Sequence, residues 1–165
     1  MLERVSAFQG MVPVESGGIR MAVSADFALT QVVGDAKALK AAFPKLPTNI
    51  GIALDYAGKS ILRVGPAQIW IVGAPPEAHF GLHLIALSSS RIRITLLGPR
   101  TREILAKGAA IDFYPKVFTP GKFVMTGIHH MPVLIHCVEP DMFHLYVMRT
   151  FALTMWEVLT DAAHS

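Results

Sequence analysis

The sequence predicts an α+β fold in which helices pack on one face of an antiparallel or mixed β-sheet. The clearest strand lies at residues 91–96, where polar and apolar side chains alternate with the two-residue period of a sheet. The polar set is Arg91, Arg93 and Thr95, and the apolar set is Ile92, Ile94 and Leu96. Two further apolar segments, 122–128 and 131–138, are close enough in sequence to pair as a hairpin.

The chain begins with a segment, residues 1–18, that we predict to be an irregular arm because proline and glycine interrupt any periodicity. Polar and apolar residues alternate loosely over 19–33, which predicts one or two strands. Asp35 then suits the N-cap of a helix over 36–43, because its carboxylate can accept hydrogen bonds from the free N–H groups of the first turn. Pro44 follows this helix and favours its end.

The middle of the chain predicts two short strands over residues 60–73, separated by Gly65-Pro66. Pro75 and Pro76 stand where a short helix could start, and we predict one that ends near Phe80. Residues 84–87 then predict a strand that leads into the clear strand at 91–96.

A second helix is predicted directly after that strand. Pro99 suits the first helical position, because its fixed φ fits a helix and its missing N–H would have had no partner there. Ile104 and Leu105 should face inward, and Gly108 should end the helix in the left-handed conformation. The charged side chains on the outer side are those of Arg100, Arg102, Glu103 and Lys107.

The last helix follows a proline-rich loop at 113–121 and a short strand at 143–148. Thr150 is the predicted N-cap. One buried face is predicted from helical spacing, with Trp156 beside it. This face consists of Phe151, Met155, Val158 and Leu159.

The domain organisation follows from the length of 165 residues. We predict an irregular arm over 1–18 and a single α+β domain over 19–165. The recurrence of Gly-Pro after similar strands, at Gly65 and Gly98, leaves two small similar halves as an alternative.

The composition is unusually apolar, with 52% hydrophobic and 16% charged residues, against about 25% charged in a typical soluble domain. The sequence contains no apolar run of about 18 residues, so it predicts no transmembrane helix. We interpret the apolar excess as core and protein interface, which is typical of an obligate subunit. Such a chain is expected to self-associate if it is produced alone.

The charge pattern argues against nucleic-acid binding, because the net charge is only +3 and the fifteen Lys and Arg residues form no cluster. Glu3 and Arg4 stand where a secretory signal needs an apolar core, so we expect a cytoplasmic protein. Cys137 is the only cysteine, which excludes an internal disulfide.

Five residues in the C-terminal third resemble metal ligands by type, since zinc prefers imidazole and thiolate. They are His129, His130, His136, Cys137 and His144. Adjacent residues of a strand point to opposite faces, so at most half of this set can converge. We therefore expect turn and sheet-surface histidines and no metal site.

Catalysis has no support in the sequence, because no nucleophile, base and acid stand at a recognised spacing. Asp112 is expected to bind backbone N–H groups. Arg100 and Arg102, with the positive end of their helix, could bind phosphate or the glutamyl tail of folate. A contact with a partner protein is the favoured interpretation for both arginines, and Arg149 and Trp156 are the other predicted partner contacts.

Three segments resemble the gamma subunit of heterotetrameric sarcosine oxidase. The first is LLGPRTREILAKGAAIDFYPKVFTPGK at 96–122, the second is ILRVGPAQIWIVG at 61–73, and the third is FHLYVMRTFALTMWEVL at 143–159. The chain departs from many relatives at residues 86–88, where Ala-Leu-Ser replaces an Asp-Leu, and it is shorter than many of them. Residues 1–59 carry little of the likeness.

This resemblance implies a ferredoxin-like fold related to the folate-binding domain of the glycine-cleavage T-protein. It also implies a non-catalytic structural subunit that holds no cofactor, metal or catalytic residue of its own. Flavin, NAD and folate would then lie on partner subunits, among them the alpha and beta flavoprotein subunits. The complex would oxidatively demethylate sarcosine or a related N-methyl amino acid.

Two other functions stay open at this point. The chain could be a stand-alone folate-binding or aminomethyltransferase-like protein, although a full T-protein site needs more domains than 165 residues provide. It could also be an unrelated domain that binds a small ligand.

Overall fold

A computed structural model describes residues 11–24 and 27–165. Within them the chain forms two antiparallel sheets and three α-helices. In chain order the elements are β1 Val14–Ser16, β2 Ile19–Ser24, β3 Leu29–Val33, α1 Ala36–Ala42, β4 Ala53–Tyr56, β5 Lys59–Gly65, β6 Gln68–Val72, β7 His83–Ala86, β8 Arg91–Leu97, α2 Thr101–Gly108, β9 Phe123–Ile128, β10 Met131–Glu139, β11 Met142–Met148 and α3 Ala152–His164.

The strands divide into a six-stranded sheet and a five-stranded sheet. The first has the order β1-β2-β8-β11-β10-β9, and the second has the order β4-β5-β6-β3-β7. The predicted hairpin forms as β9 and β10, with Met131 opposite Ile128. β8 lies in the middle of the larger sheet, where it pairs with β2 and β11.

The two sheets pack face to face, and helices cover the outer face of each. α2 and α3 pack on the six-stranded sheet, with Ile104, Leu105 and Met155 in the largest cluster of buried residues. α1 covers the five-stranded sheet through Leu39. Between the sheets lies a smaller apolar cluster that contains Leu29, Leu62, Trp70, Phe123, Leu134 and Tyr146.

The predicted α+β class with antiparallel strands is confirmed, and helices lie on one face of each sheet as predicted, but the strands form two sheets where a single sheet was predicted. The reason lies in β5 and β6, whose neighbouring residues Ile61 and Leu62, and Trp70 and Ile71, are buried on opposite faces. A strand that is apolar on both faces needs cover on both sides. The second sheet supplies the cover on one side and α1 on the other.

The N-terminal arm is only partly covered by the described residues, because residues 1–10 of the predicted segment lie outside them. Val14–Ser16 form a strand that pairs with β2 in antiparallel register, where an irregular segment was predicted. Gly17 and Gly18 both have positive φ and form the turn between these two strands. The glycines therefore make a hairpin turn rather than an irregular segment.

Two predicted helix details are wrong at α2. The helix begins at Thr101, and Pro99 and Arg100 form a turn before it, in which Thr101 N–H donates to Gly98 O at 3.1 Å. Gly108 is the last helical residue rather than a left-handed cap. Glycine is needed there because a Cβ would lie 2.8 Å from the side chain of Ile128.

No helix forms at residues 75–80. This segment has no apolar face to bury, and the side chain of Phe80 is 97% exposed. Since most helical stability in proteins comes from packing of an amphipathic face, prolines at the right positions are not sufficient.

The C-terminal helix buries Met155, Leu159 and Trp156, in partial agreement with the predicted face. Phe151 and Val158 are only partly buried against the same cluster. A single 3₁₀ turn over Arg149–Phe151 precedes the helix, so the N-cap position falls on Phe151 and not on the predicted Thr150.

The Asp35 cap is confirmed, because its side chain accepts a 2.7 Å hydrogen bond from the N–H of Ala38. We expect Asp35→Ala to lower the free energy of unfolding by about 1 kcal/mol, because it leaves that N–H without an acceptor. Urea-induced unfolding followed by circular dichroism measures this change. Asp35→Ser is the matched control and should cost only a few tenths of a kcal/mol; an equal loss in both variants would contradict the capping role.

Candidate functional site

A group of polar side chains lies between the two sheets, on the face of the six-stranded sheet that is turned away from α2 and α3. Arg93 of β8 stands opposite Tyr146 of β11, and His144 stands opposite His136 of β10. The alternation along each strand places these four residues on the same face. His136 and Tyr146 are only 4% and 2% exposed. We call these four residues the inter-sheet polar cluster.

Burial controls the charge of this cluster. Desolvation lowers the pKa of His136, and it lowers the pKa of His144 to about 4, with the nearby charge of Arg93 acting in the same direction. Burial also raises the pKa of the Tyr146 phenol, an effect that Arg93 partly offsets. Both imidazoles are therefore neutral at pH 7. Their ring centroids lie 6.5 Å apart, in an edge-to-face arrangement.

A groove of about 720 Å³ opens beside the inter-sheet polar cluster. Its walls are the β4–β5 hairpin, the end of β6 and the side chain of Arg93, and they include Asp55, Lys59 and Phe27. The Arg93 guanidinium lies over the Phe27 ring, 5.3 Å from its centroid. We call this space the Arg93 groove.

Two buried polar atoms near this groove have no hydrogen-bond partner within the described part of the chain. They are the Nε of Arg93 and the Nδ1 of His136. A buried donor or acceptor without a partner costs about 1–3 kcal/mol, so native proteins rarely keep one without a reason. The Arg93 groove can supply a partner for the guanidinium from outside the chain.

The four histidines and the cysteine that resemble metal ligands in the sequence are spread over three places. His129 and His130 form the β9–β10 turn, where both have positive φ. His136 faces the second sheet, whereas its neighbour Cys137 is buried in the cluster that packs on the helices, as the alternation predicts. Among residues 11–24 and 27–165, no three His, Cys, Asp or Glu side chains are grouped as metal ligands.

Arg102 does not face outward as predicted. Its guanidinium donates to the carbonyl oxygens of Phe113 at 2.7 Å and Phe118 at 2.9 Å, and to the oxygen of Pro140 at 2.8 Å. It also lies over the ring of Phe143, 5.0 Å from the centroid. This arginine therefore joins α2 to the loop at 113–118 and to the β10–β11 turn.

Arg100 also makes contacts within the chain. It forms a two-bond ion pair with Glu103, in which both N···O distances are 3.0 Å. It donates as well to the carbonyl oxygens of Gly17 and Ala163. The arginine thus ties the first turn of α2 to the β1–β2 turn and to the end of α3.

The other predicted residues differ in how much surface they offer. Trp156 is 5% exposed and packs in the core, so it presents almost no surface to a partner. Arg149 is half-buried, and its neighbours Met148 and Thr150 are exposed. Asp112 accepts a 2.9 Å hydrogen bond from the N–H of Tyr114, which confirms the predicted backbone contact.

The inter-sheet polar cluster was missed by the sequence analysis, although its signal is visible. Arg93 alternates with isoleucines on β8, and His144 and Tyr146 alternate with apolar residues on β11. One sheet with helices on one face would leave this polar face in solvent. The second sheet turns that face into an interior surface.

The family model described as "Sarcosine oxidase, gamma subunit family" matches residues 72–165. This chain belongs to that family. The likeness read from the three segments above is thereby confirmed. A curated relative, sarcosine oxidase subunit gamma of Corynebacterium sp. (strain P-1), is 28% identical over 102 residues. The aligned part covers 54% of this chain and only half of that relative.

Two solved structures share the fold. One is the heterotetrameric sarcosine oxidase from Corynebacterium sp. U-96 in complex with pyrrole 2-carboxylate, with a TM-score of 0.81 and 19% identity over 92% of this chain and 86% of that chain. The other is the glycine cleavage system aminomethyltransferase T from Bartonella henselae. Its TM-score is 0.61 and its identity 16%, over 87% of this chain and 46% of that chain. The T-protein-like fold is thus confirmed.

None of the described helices is long and apolar enough to cross a membrane.

Proposed function

We propose that this chain is a non-catalytic structural subunit of a sarcosine-oxidase-like flavoprotein complex. The complex oxidatively demethylates sarcosine or a related N-methyl amino acid in the cytoplasm. Its alpha and beta subunits are the partners, and they carry the flavin, NAD and folate. The observation that carries the proposal is the match of residues 72–165 to the gamma subunit family.

The surface of the chain supports a role in assembly. β7 is one of the two outer strands of the five-stranded sheet, and all four of its residues are exposed. Leu84 is 37% exposed and Ile85 45% exposed, and the neighbouring Phe80 is 97% exposed. Monomeric proteins usually protect an edge strand with charge, proline or a covering element. We propose that the edge formed by residues 80–86 contacts a flavoprotein subunit.

Strand addition at this edge would suit such a partner. An extended segment of another chain can pair with the free N–H and C=O groups of an outer strand, while its side chains contact alternate residues. Leu84 and Ile85 point to opposite faces of the sheet, so both faces of an added strand would meet apolar side chains. Arg149 stays a proposed second contact, since its neighbours Met148 and Thr150 are exposed.

Co-expression with candidate alpha and beta subunits tests this proposal. Phe80→Asp and Ile85→Asp are each expected to raise the Kd of the complex at least about tenfold, because each places a charge on an apolar contact. Less of each variant should then co-elute with its partners on size exclusion. Ile50→Asp is the matched control, since Ile50 is 55% exposed just before β4, which lies at the opposite edge of the five-stranded sheet from β7. Circular dichroism checks that all three variants fold.

Two results would count against the proposal, and they differ in meaning. Equal co-elution of the β7 variants and the Ile50→Asp control would place the contact elsewhere on the chain. If the wild-type chain forms no complex with any flavoprotein partner, the subunit role itself is rejected.

The second candidate is a stand-alone folate-binding or aminomethyltransferase-like protein. The likeness in fold to aminomethyltransferase T favours it, although this chain covers only 46% of that protein. Calorimetric titration of the full chain with tetrahydrofolate tests it directly. A flat titration would remove this candidate and leave the subunit proposal untouched.

A further inference from the structure

The Arg93 groove contains charges of both signs that do not neutralise each other. Arg93, Lys59 and Asp55 all lie in its wall. Within the described part of the chain, none of the three takes part in an ion pair. Charges that share a groove without touching are complementary to a ligand that carries both signs.

The positive end of the groove is held in place before any ligand arrives. The Arg93 guanidinium stacks on the ring of Phe27 and lies beside the buried phenol of Tyr146. Its buried Nε has no acceptor among the described residues. A planar guanidinium in a fixed orientation matches a carboxylate through two parallel hydrogen bonds. Nε therefore lacks an acceptor in the described part of the chain, and the positive charge and planar shape of the guanidinium favour a carboxylate in that role.

The negative end is provided by the β4–β5 hairpin. Asp55 lies next to the hairpin turn, where its carboxylate accepts a hydrogen bond from the hydroxyl of Ser60. A carboxylate has about four acceptor positions, so this bond leaves capacity for an ammonium donor. Lys59 stands on the same hairpin and adds a second cation to the groove wall.

The remaining wall residues limit the kind of ligand. Phe27, Tyr56 and Val72 bring apolar surface to the groove, and its volume of about 720 Å³ is within the usual range for small-molecule sites. We propose that the Arg93 groove binds a zwitterionic amino acid with an apolar side chain, its carboxylate on Arg93 and its ammonium on Asp55. This inference does not depend on the proposed subunit role.

Three probes of nearly equal shape separate the two charge requirements. L-leucine carries both charges, 4-methylpentanoate lacks the ammonium and 3-methylbutylamine lacks the carboxylate. We expect L-leucine to shift the amide resonances of Gly58 and Gly73, which line the groove, in a saturable NMR titration of the full chain. Each single-charge probe should bind at least about tenfold more weakly.

Variants assign each end of the ligand to its residue. Arg93→Gln should abolish saturation by L-leucine and by 4-methylpentanoate alike. Asp55→Asn should weaken L-leucine at least about tenfold and leave 4-methylpentanoate unchanged. Arg20→Gln is the control, because Arg20 pairs with Glu15 on the exposed β1–β2 hairpin and should not alter either titration.

Three outcomes would overturn the proposal. The first is no saturable shift with L-leucine, and the second is equal binding of L-leucine and 4-methylpentanoate, which would indicate a site for anions alone. The third concerns Asp26, which precedes Phe27 in sequence and lies outside the described residues. Binding of L-leucine to Asp26→Asn but not to the wild-type chain would show that the native guanidinium is already paired.

Discussion

Arg102→Ala is expected to lower the free energy of unfolding by about 3 kcal/mol. The variant removes the donor to the carbonyl oxygens of Phe113 and Phe118, which lie in a partly buried loop, and to that of Pro140. Each buried acceptor left without a partner costs about 1–3 kcal/mol, and water can replace only the more exposed of these bonds. Loss of the contact with the Phe143 ring adds to the effect.

Urea-induced unfolding measures the loss, and thermal unfolding should show a midpoint lower by about 10 °C for a chain of this size. Arg20→Ala is the matched control, because Arg20 forms an ion pair in which both side chains are about two-thirds exposed. Exposed pairs contribute about 0–1 kcal/mol. Arg102→Lys should recover only part of the loss, because an ammonium lacks the planar fork. Equal stability of Arg102→Ala and Arg20→Ala would contradict this structural role.

The features that the sequence predicted correctly depend on neighbours that are close along the chain. The alternation of β8, the Asp35 cap and the hydrogen bond from Tyr114 N–H to Asp112 are set by residues within a few positions. The buried side chains of α2 follow in the same way from helical spacing. Local geometry fixes which face is apolar, but not what covers the opposite face.

The features that the sequence did not predict depend on distant parts of the chain. Arg102 meets carbonyl oxygens that lie 11, 16 and 38 residues away. A charged residue on a helix is exposed to solvent unless a loop folds over it. The residues near Arg102 in the sequence do not predict such a loop. The second sheet, and with it the inter-sheet polar cluster, is hidden for the same reason. Polar residues that alternate on a strand look like a solvent face until another sheet is placed against them.

The stability of the chain should fall by about 2 kcal/mol between pH 7.5 and pH 5 through His144 alone. Burial and the charge of Arg93 lower the pKa of this imidazole to about 4 in the folded protein, against 6.5 in the unfolded chain. Between these two pKa values the unfolded state binds more protons than the folded state does. The chain therefore has its full stability above about pH 6.5 and loses stability as the pH falls below that value. His136, whose pKa burial also lowers, acts in the same direction.

The groups that face His144 determine how steep this loss is. Arg93 and His136 oppose its protonation, whereas Asp55 favours it, and the Tyr146 ring lies 6.4 Å away. The urea unfolding free energy at pH 7.5 and at pH 5 measures the difference for each protein. His144→Phe should reduce it by about 2 kcal/mol, because the unfolded chain then loses the proton uptake that drives the loss. His83→Gln is the control, since His83 is exposed on β7 and its removal should leave the difference unchanged. A His144→Phe variant with the same pH dependence as the control would show that other groups cause the loss of stability at low pH.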